Sequence, residues 1–383
     1  MNYLVISDAG SMHVFNFIKN TLSGRGWNVY ILSHSVVKIP ELYSKYYKEN
    51  NITVINVSDE TFATETGLYA KYKKLRYKYR EIKRIGTIDV CHIHCLASSS
   101  CLLYLLTRKS IKKLILTFWG SDIIKDRKGE VFLQKKCMPY ANAITLSTKH
   151  TLNVFHQKFG HSYDDKVQIV RFISGALENI KYNTSFMSRE DCKRELGFPL
   201  DKVTVMIGYN ADPDQHQDFC VRNLNLLDEE LRDRIYVVVP LQYARRDMHY
   251  IENVKTELSK SSFSYSLLEE YFDSNKMSLL SIATDLYVNI RNTDAFSCCM
   301  KEQLYSGTIM IQGDWLEYIE LDEIQWERIK IDKLEDLRIA VSDILKKYPT
   351  IVPKVKCELM WNLFSPQGVK SQWDAVFSKY KIK

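Results

Sequence analysis

The sequence predicts an α/β protein with two domains, each built on a parallel β-sheet. Short apolar segments recur along the chain, and many of them end in small or polar residues that precede an amphipathic segment. This alternation of strands and helices is typical of βαβ units, whose strands run parallel. A second series of such units begins near residue 203, and the 383 residues suffice for two domains with separate cores.

The composition argues against an integral membrane protein. No apolar run approaches the roughly 20 residues that span a bilayer, and the N-terminal MNYLVISDAG has no basic region before its apolar segment. This segment therefore predicts a first strand and not a signal peptide. The nine cysteines include no CxxC pair and no cluster at zinc-ligand spacing, which favours free thiols in a reducing cytosol.

Residues 1–180 are predicted to form the first domain. Its first strand, at residues 2–7, is followed by a turn that contains Gly10 and Ser11 and by a helix near His13. Loops after parallel strands open at the carboxyl edge of the sheet, where ligands bind, so these residues are candidates for ligand binding. Further strands are predicted at residues 27–33, 52–57, 89–95, 114–118 and 143–147.

The net charge of +7 is concentrated in one segment. Residues 71–84 (KYKKLRYKYREIKR) hold eight basic residues and one acid. Apolar residues 68, 72, 75, 79 and 82 recur at helical spacing, which predicts an amphipathic helix that buries this seam. Either the basic face is simply solvated, or it binds anionic headgroups or a lipid-linked diphosphate at roughly 1 kcal/mol per residue. Binding of nucleic acid is disfavoured because no nucleic-acid recognition motif accompanies this basic segment. The membrane interpretation assigns Lys71, Lys74, Arg76 and Lys78 to the membrane-facing side.

Two loops at the ends of predicted strands in the first domain carry polar candidates. His92 and His94 alternate along a strand, so both side chains lie on one face, and His94 is at the carboxyl end. Such a histidine is either a hydrogen-bonded core residue or part of a site. The next strand runs into WGSD, residues 119–122, which can cap a helix and can also recognise a sugar. The candidates are therefore His94, Trp119, Gly120, Ser121 and Asp122.

Residues 185–360 are predicted to form the second domain, after a linker at about residues 174–184. Strands are predicted at residues 203–209, 235–242, 264–268, 286–290 and 308–312. Neither domain contains a GxGxxG fingerprint, which argues against a dinucleotide enzyme. Residues 361–383 are predicted to form a helix that returns to the first domain. Its apolar seam consists of Trp373, Val376, Phe377 and Tyr380.

Two loops of the second domain are candidates for ligand binding. The first strand leads into Gly208, Tyr209 and Asn210, whose backbone and amide groups can donate hydrogen bonds. The following Asp-Pro-Asp, residues 212–214, fits a DxD metal pattern, but a helix cap with Pro at the first helical position explains it without a metal. The second strand leads into residues 242–246, where two arginines could neutralise a diphosphate. Its candidates are Gln242, Tyr243 and Arg245.

Residues 284–315 form the stretch around which the second domain is organised. They are predicted to contain a strand, a polar loop, a helix that begins near Phe296, a turn and a further strand. A helix N-terminus after the end of a strand presents unpaired N–H groups and a positive dipole end, which favour phosphate. Asp294 and Glu302 flank this start and are eight positions apart.

This acid-x7-acid spacing, followed by a glycine five residues later, resembles the donor-binding element of GT-B-fold glycosyltransferases of the family-4 type. That element is usually Glu-x7-Glu. DVCHIH (residues 89–94) and WGSD resemble first-domain motifs of the same family. The strings GYNADPDQHQ, VVVPLQYARRDMHYIENVK, NTDAFSCCMKEQLYSG and IQGDWLEY resemble bacterial lipid-linked-oligosaccharide transferases typified by the TDP-4-acetamido-fucose:lipid II transferase. Asp294 for Glu, Ser297 for the usual Gly and the lack of an Arg-x4-Lys pair depart from the family-4 pattern.

The resemblance implies the GT-B fold, with two Rossmann-like domains facing a central cleft. It implies a glycosyltransferase that moves a sugar from a nucleotide-diphosphate donor to a lipid-linked saccharide. This enzyme would need neither a metal nor a cofactor. The setting would be bacterial surface polysaccharide (O-antigen or capsule) synthesis, with the enzyme cytoplasmic and peripheral at the inner face of the plasma membrane. Alternatives on the same fold are a nucleotide-sugar sensor and an enzyme like the UDP-sugar 2-epimerases.

The resemblance also implies roles for individual residues. His94, Asp122, Asp294 and Glu302 would be catalytic, with one of the first two acting as a base if the reaction inverts, and Glu302 would also bind the donor ribose. Gly10, Ser11, His13, Trp119, Gly120 and Ser121 would bind the acceptor. The donor would be bound by Gly208, Tyr209, Asn210, Gln242, Tyr243, Arg245, Thr293, Ala295, Phe296, Ser297 and Glu302.

Overall fold

The computed structural model describes residues 1–33, 39–57, 67–125, 129–323, 325–350 and 357–382, which form two compact units. Unit 1 comprises Met1–Ile173 and Pro366–Lys383, and unit 2 comprises Ser174–Ser365. These boundaries differ from the predicted ones because the supposed linker contains the helix Leu177–Asn183. This helix buries Leu177 and Ile180 in the core of unit 2.

Unit 1 contains a seven-stranded sheet in which all neighbouring strands are parallel. Its spatial order is β3-β2-β1-β4-β5-β6-β7. The sequence predicted six of these strands and missed β7, which has only three residues and lies at the sheet edge. The strands are β1 Asn2–Ile6, β2 Asn28–Leu32, β3 Thr53–Ile55, β4 Ile88–His94, β5 Ile111–Thr117, β6 Ala143–Leu146 and β7 Val167–Ile169.

The helices of unit 1 pack against two separate core clusters. One cluster includes Phe15, Tyr43 and Trp373, and the other includes Ile82, Cys101 and Cys137. Right-handed crossovers in this strand order place the helices of these two groups on opposite faces of the sheet. The first group is Met12–Phe17, Glu41–Glu49 and Pro366–Lys379, and the second is Gly67–Ile85, Ser98–Thr107 and Glu130–Cys137. The remaining helices in the described part of unit 1 are the π-helix Ile18–Leu22, the 3₁₀ helices Arg108–Ser110 and Met138–Tyr140, and the α-helices Ser121–Ile124 and Lys149–Phe159.

Unit 2 contains a six-stranded parallel sheet in the order β10-β9-β8-β11-β12-β13. Its last strand, again a three-residue edge strand, was not predicted from the sequence. The strands are β8 Val203–Ile207, β9 Ile235–Pro240, β10 Ser264–Leu268, β11 Leu286–Asn289, β12 Ile309–Gly313 and β13 Ile329–Ile331. The helices are Leu177–Asn183, Arg189–Leu196, Gln217–Asn225, Glu229–Asp233, Met248–Ser259, Ser274–Ala283, Cys298–Tyr305, Ile319–Glu323, Leu337–Lys347 and Cys357–Phe364, with 3₁₀ turns at Pro213–Gln215 and Leu334–Asp336.

Both sheets have the Rossmann strand order, in which the first and fourth strands of each unit are neighbours. β1 pairs with β4 in unit 1, and β8 pairs with β11 in unit 2. The chain reverses its direction across the sheet at these positions. In open α/β sheets ligands bind outside the carboxyl ends of the strands at such a switch point. The loops that follow β1, β4, β8 and β11 are therefore where each unit would bind a ligand.

The basic helix Gly67–Ile85 forms as predicted, but it buries only part of the predicted seam. Ile82 is buried and Leu75 packs half-buried against the core, as predicted. Leu68 is 85% exposed and Tyr72 is 56% exposed, and Ala70 and Lys78 are buried in their place. The assignment of Lys78 to the membrane-facing side is therefore wrong. Burial, together with the charge of Lys74, lowers the pKa of Lys78 to about 8. A long lysine stem can cover apolar surface, so a stripe that contains a lysine competes successfully with the predicted seam.

No helix within the described ranges combines the length and the apolar composition of a membrane span.

Candidate functional site

In unit 2 the loops after β8 and β11 are joined by hydrogen bonds at the switch point. The N–H of Gly208 donates to the carbonyl of Val288 at 3.1 Å. Asn292 contacts His216 Nε2 through its Oδ1 at 2.8 Å and donates from Nδ2 to Asp214 Oδ1 at 3.0 Å. The sequence predicted both loops as parts of one site, and the structure brings them together.

Gly208 is a position that strongly favours glycine. Its φ is +65°, and a Cβ atom built there would lie 2.9 Å from Gln215 Oε1 and 3.1 Å from Gln217 Nε2. The amide of Gln217 is fixed because it donates to the carbonyls of Ile207 and Pro240 at 3.1 and 3.0 Å. The chain after β8 therefore turns tightly over a buried glutamine that also holds the end of β9.

The Asp212–Asp214 segment forms a helix cap. Asp212 Oδ1 accepts a hydrogen bond from the N–H of Asp214 at 3.0 Å, and Pro213 is the first residue of the 3₁₀ turn Pro213–Gln215. This confirms the predicted cap. Asn210 Oδ1 accepts hydrogen bonds from the Asp212 N–H and from Gln215 Nε2, both at 3.0 Å. The carbonyl oxygen of Asn210 therefore shapes the loop, and its amide nitrogen is the group that could contact a ligand.

Asp294 is anchored at the lip of the loop after β11. Its Oδ2 accepts hydrogen bonds from the Ser297 N–H at 3.0 Å and from the Tyr318 hydroxyl at 2.8 Å. The Tyr318 hydroxyl in turn accepts from Asn289 Nδ2 at 2.8 Å. A carboxylate held in this way by a buried tyrosine and a backbone N–H keeps one orientation. Its other oxygen, Oδ1, lies 3.5 Å from Arg291 NH1.

The helix after this loop begins at Cys298, two residues later than predicted. Ser297 is its N-cap, because its Oγ accepts from the Met300 N–H at 3.3 Å. Phe296 has a φ of +62° and is 2% exposed, with its ring 5.5 Å from that of Tyr318 and 5.2 Å from that of Phe364. The ring of this predicted donor-binding residue therefore belongs to the core. Thr293, Ala295 and Ser297 are partly exposed along the same loop.

Arg291 is a residue of this site that the sequence analysis did not single out. Its guanidinium carbon lies 5.2 Å from the centroid of the Tyr209 ring, and NH1 donates to the Tyr209 hydroxyl. Its carbonyl accepts from Trp315 Nε1 at 2.7 Å. Burial opposes its charge, but Tyr209 and the carboxylates of Asp294 and Asp212 raise its pKa. Arg291 is therefore cationic, and its position after a strand at the switch point was the only sequence signal for it.

Glu302 is a buried carboxyl of the helix Cys298–Tyr305. Its Oε1 accepts from Ser174 Oγ at 2.6 Å and from the Ala176 N–H at 3.4 Å. Burial raises its pKa to about 7, although these hydrogen bonds and Lys301 lower it. One oxygen of this predicted ribose ligand thus holds the start of unit 2, which leaves the second oxygen for any ribose contact.

Substituting Glu302 with Gln is expected to remove a pH dependence from the stability of unit 2. The folded-state pKa of about 7 is above the ordinary 4.5, so the folded state favours the protonated carboxyl. Its stabilising contribution is complete below about pH 4.5 and is lost as the pH rises through about 7. We expect the wild-type free energy of unfolding to fall by about 1–3 kcal/mol over this range, and the Gln variant to lack this decline.

Chemical denaturation at a series of pH values measures this effect. Glu335→Gln is the matched control, because Glu335 is an exposed acid of the same unit, and it should retain the wild-type slope. A Glu302→Gln variant with the full wild-type slope would contradict the protonated, buried state of Glu302.

The predicted donor-binding residues of the loop after β9 lie in different environments. Arg245 pairs with Glu269 at 2.8 Å and donates to the Leu241 carbonyl at 3.1 Å, so its charge is already compensated. Tyr243 is 52% exposed, with its ring 6.3 Å from that of Tyr209. Gln242 Nε2 is buried and has no hydrogen-bond partner within the described part of the chain. Gln242 and Tyr243 are therefore better placed than Arg245 to meet a ligand.

In unit 1, His94, His13 and Trp119 come together at the carboxyl ends of the central strands. The His13 ring lies 5.3 Å from the Trp119 ring and 4.8 Å from the Phe172 ring. His13 and His94 line a pocket together with Thr117, Arg171 and Trp373. Three residues that were predicted from separate motifs therefore share one site.

His94 is neutral and has one free ring nitrogen. Its Nδ1 accepts from Trp119 Nε1 at 3.4 Å, and its Nε2 is buried without a hydrogen-bond partner in the described residues. Burial, together with the charge of His13, lowers the pKa of His94 to about 3. Because Nδ1 accepts, this hydrogen bond assigns the ring proton to Nε2. His94 is therefore arranged to donate a hydrogen bond to a ligand, and this geometry does not favour a role as a base.

His92 is the satisfied core histidine of the pair. Its Nδ1 contacts the Tyr3 hydroxyl at 2.9 Å, and its Nε2 contacts Thr117 Oγ1 at 2.6 Å. Both nitrogens thus have partners inside the core. The His92 and His94 rings lie 3.9 Å apart on the same face of β4, as the alternation along the strand predicted.

Asp122 holds two loops together. Its Oδ2 accepts from the Leu96 N–H at 2.7 Å, and its Oδ1 accepts from the N–H groups of Trp119 and Gly120 at 2.8 and 3.1 Å. Burial raises its pKa, and the backbone N–H groups oppose this effect. Both carboxylate oxygens are therefore engaged with the loops after β4 and β5, so Asp122 positions Trp119 and is poorly placed to accept a proton.

The remaining predicted residues of unit 1 lie around this site. The Gly10 N–H donates to Asp8 Oδ1 at 2.9 Å, and Ser11 is the N-cap residue of the helix Met12–Phe17, where its side chain makes no capping hydrogen bond. Gly120 has a φ of +111° and precedes the short helix at Ser121, whose side chain is exposed. Gly10 and Ser11 lie after β1, and Gly120 and Ser121 lie after β5, so all four are at the carboxyl edge of the sheet.

Comparisons with known proteins agree with this architecture. Residues 3–155 match the family described as glycosyl transferase 4-like. Sucrose-phosphate synthase from Thermosynechococcus elongatus is similar over 100% of this chain and 99% of its own, with 12% identity and a TM-score of 0.74. HepE from Anabaena, in complex with UDP and glucose, is similar over 99% of this chain and 100% of its own, with 10% identity and a TM-score of 0.71. A glycosyltransferase from Rickettsia africae is similar over 99% of this chain and 98% of its own, with 12% identity and a TM-score of 0.70. No curated protein matches the sequence.

The strand order of the two units and these similarities define a protein of the GT-B fold class. Its first domain carries the glycosyl transferase 4-like sequence pattern over residues 3–155. The fold class that the sequence predicted is thereby confirmed, and the family-4-like resemblance is confirmed over residues 3–155.

Proposed function

We propose that this protein is a glycosyltransferase that moves a sugar from a nucleotide-diphosphate donor to a lipid-linked saccharide in bacterial surface polysaccharide synthesis. The observation that carries the proposal is the convergence, at the switch point of unit 2, of a cation, a fixed carboxylate and a capped helix start. These groups are Arg291, Asp294 and the N-terminus at Ser297. The family match over residues 3–155 and the similarity to structures of glycosyltransferases support the reaction class.

The donor site would lie on the loops after β8 and β11. A nucleoside diphosphate leaves with additional negative charge when the glycosidic bond breaks, and a cation and a helix N-terminus stabilise that charge. Because Asp212 serves as a helix cap, we assign no metal to the DxD segment. Asp294 would lie near the transferred sugar, where its carboxylate stabilises positive charge that develops at the anomeric carbon. HepE was determined with UDP and glucose, so UDP-sugars are the first donors to test.

The acceptor site would lie in the pocket of unit 1. Phe172 and Trp373 line this pocket, and the Trp119 ring lies 5.8 Å from that of Phe172; such aromatic rings suit the apolar face of a sugar ring. His94 Nε2–H would donate to an oxygen of the bound saccharide. Asp122 would keep Trp119 in place through the two loops that it joins.

Donor screening tests the proposal. Thermal unfolding is measured with UDP-, GDP-, TDP- and CMP-linked sugars, and the stabilising donors are then assayed for hydrolysis and for transfer to lipid-linked saccharides. Stabilisation followed by turnover supports the transferase. Binding without hydrolysis or transfer of any donor favours the nucleotide-sugar sensor, and a changed sugar without an acceptor favours the epimerase-like enzyme.

We further propose that unit 1 binds an anionic membrane surface through three helices. These are Gly67–Ile85, Ser98–Thr107 and Glu130–Cys137, which share one face of the sheet. Their outer side, here called the basic–apolar face, exposes large apolar side chains that a soluble protein normally buries. They are Leu68, Tyr69, Tyr72, Tyr79, Leu102, Leu106 and Phe132.

Basic residues surround these apolar side chains. Lys71, Arg76 and Arg80 are exposed on the first helix, Arg108 and Lys109 follow the second, and Lys135 and Lys136 end the third. Exposed aromatic and aliphatic residues among lysines and arginines are typical of surfaces that lie in the headgroup region of anionic membranes. Of the residues predicted to face a membrane, Lys71 and Arg76 are exposed, Lys74 is half-buried, and Lys78 is excluded by its burial.

We expect the wild-type protein to sediment with vesicles that contain phosphatidylglycerol and to bind pure phosphatidylcholine vesicles weakly. The double variant Lys71→Gln/Arg76→Gln should bind the anionic vesicles roughly 10-fold or more weakly, since each basic residue contributes about 1 kcal/mol. Leu102→Ser/Leu106→Ser should weaken binding without changing its salt dependence.

The control is Lys19→Gln/Lys48→Gln, which removes the same charge from exposed positions on the opposite face of unit 1. If this control loses as much binding as Lys71→Gln/Arg76→Gln, net charge and not the basic–apolar face determines the interaction.

A further inference from the structure

We propose that Arg291 is the ligand of the donor's diphosphate and that Tyr209 holds its guanidinium group in position. This inference rests on the proposed function. Arg291 follows β11 by two residues, and Tyr209 follows β8 by two residues. The two strands are neighbours at the switch point of unit 2, so these side chains meet where a ligand of this sheet would bind.

The side chain of Arg291 is held but has unused hydrogen-bonding capacity. It is 12% exposed, and its guanidinium carbon lies 5.2 Å from the centre of the Tyr209 ring. NH1 donates to the Tyr209 hydroxyl, whereas Nε is buried without a hydrogen-bond partner in the described ranges. A guanidinium group carries five N–H donors in one plane. A ligand with several acceptor oxygens would complete this set.

The charge of Arg291 is only loosely compensated. Asp294 Oδ1 is 3.5 Å from NH1, which is longer than a charge-assisted hydrogen bond. The other oxygen of Asp294 already accepts from Ser297 and Tyr318. A mostly buried cation without a tight partner favours the binding of an anion.

Other cations of unit 2 are committed to partners within the fold. Arg245 pairs with Glu269 at 2.8 Å, and Lys193 pairs with Asp285 at 2.6 Å. Lys301, on the helix after the loop, is 2% exposed, with its Nζ 4.7 Å from the Phe364 ring and 5.4 Å from the Phe296 ring. Arg291 is the cation whose geometry relates it to both switch-point loops.

The geometry also explains why an arginine would serve here. The flat guanidinium group on the Tyr209 ring has a fixed plane, and two of its N–H groups can donate in parallel to phosphate oxygens. A lysine offers a point charge on a flexible stem and cannot reproduce this arrangement. The ligand class is therefore a nucleoside diphosphate, whose phosphates bridge Arg291 and the N-terminus of the helix Cys298–Tyr305.

Calorimetric titration of the full chain with uridine, UMP and UDP tests the inference. We expect Arg291→Met to weaken UDP binding by roughly 10- to 100-fold, the effect of losing hydrogen bonds to a charged group, and to leave the affinity for uridine unchanged. Arg291→Lys, which keeps the charge and guards against misfolding of the Met variant, should weaken UDP binding by about 5-fold or more because it loses the bidentate geometry. Arg338→Met, which replaces an exposed arginine of the helix Leu337–Lys347, should bind like the wild type.

The inference is overturned if the wild-type protein binds UDP and a folded Arg291 variant binds UDP with the same affinity. If the wild type binds none of UDP, GDP and TDP, the proposed function itself fails, and the inference fails with it. If GDP or TDP is the nucleotide that binds, the same titrations are made with guanosine and GMP or with thymidine and TMP.

Discussion

Replacing Asp294 with Asn is expected to lower the rate of sugar transfer by about 10²- to 10³-fold, the usual cost of removing one preorganised electrostatic group. The carboxylate is held by the Ser297 N–H and the Tyr318 hydroxyl, and it lies 3.5 Å from Arg291. Asn can keep a hydrogen bond to Tyr318 but loses the charge that would face the reacting sugar. We therefore expect kcat to fall and donor binding to change little.

Steady-state kinetics with the donor found by screening provide the measurement. Asp314→Asn is the matched control: Asp314 follows the neighbouring strand β12 and pairs with Lys330 at 2.9 Å on an exposed surface. It should keep wild-type kcat. If Asp294→Asn retains full transfer, Asp294 has no part in the chemistry.

The second large effect is expected for His94→Phe, which fills similar space but cannot donate a hydrogen bond. His94 lines the pocket of unit 1, and its Nε2–H has no hydrogen-bond partner in the described residues, so we expect a loss of about 10- to 10²-fold in kcat/KM from one unsatisfied substrate oxygen. His94→Gln carries an amide N–H and should restore much of this loss. If His94 were a general base, both variants would lose most of their kcat/KM. Comparing the two variants therefore distinguishes hydrogen-bond donation from proton abstraction.

The pH dependence of stability provides an independent measurement on the same variants. The pKa of His94 is lowered from 6.5 to about 3 by burial, so below pH 6.5 the unfolded chain binds a proton that the folded protein does not. The contribution of neutral His94 is therefore present above about pH 6.5 and is lost as the pH falls toward 3. Both variants should show a shallower loss of stability in acid, whereas His249→Gln, which removes an exposed histidine of the helix Met248–Ser259, should not. An unchanged slope in both His94 variants would contradict the buried, neutral state.

The sequence contained enough information for the fold because most strands are long apolar runs with small or polar residues at their ends. The two strands that were missed, Val167–Ile169 and Ile329–Ile331, have three residues each and lie at sheet edges. Such segments have too few apolar residues for a periodic pattern. Their position depends on the neighbouring strand, which a single sequence does not show.

The basic helix shows how a periodic pattern can mislead. The predicted seam consists of Leu68, Tyr72, Leu75, Tyr79 and Ile82, and only its Leu75 and Ile82 pack against the core. The N-terminal part of the seam is exposed, and Ala70 and Lys78 are buried instead. The stem of a lysine is apolar enough to pack, so the choice depends on the tertiary neighbours of the helix.

The candidate site was predicted in outline but not in its contacts. Strand ends identified the loops of Gly208, His94 and Asp294, because loops after parallel strands meet at one edge. The Arg291–Tyr209 contact joins residues 82 positions apart, and the hydrogen bond between Ser174 and Glu302 spans 128 positions. Such pairings arise from the strand order and the packing of loops, and no local pattern predicts them.

Hydrogen–deuterium exchange with and without the bound nucleoside diphosphate tests most directly whether unit 2 holds the donor at its switch point. We expect UDP, or the diphosphate that stabilises the protein, to protect amides in residues 208–212 and 290–300, with the strongest protection around Arg291 and Ser297. Protection confined to other loops, or none at a saturating concentration of a nucleotide that binds, would contradict the assignment of the donor site.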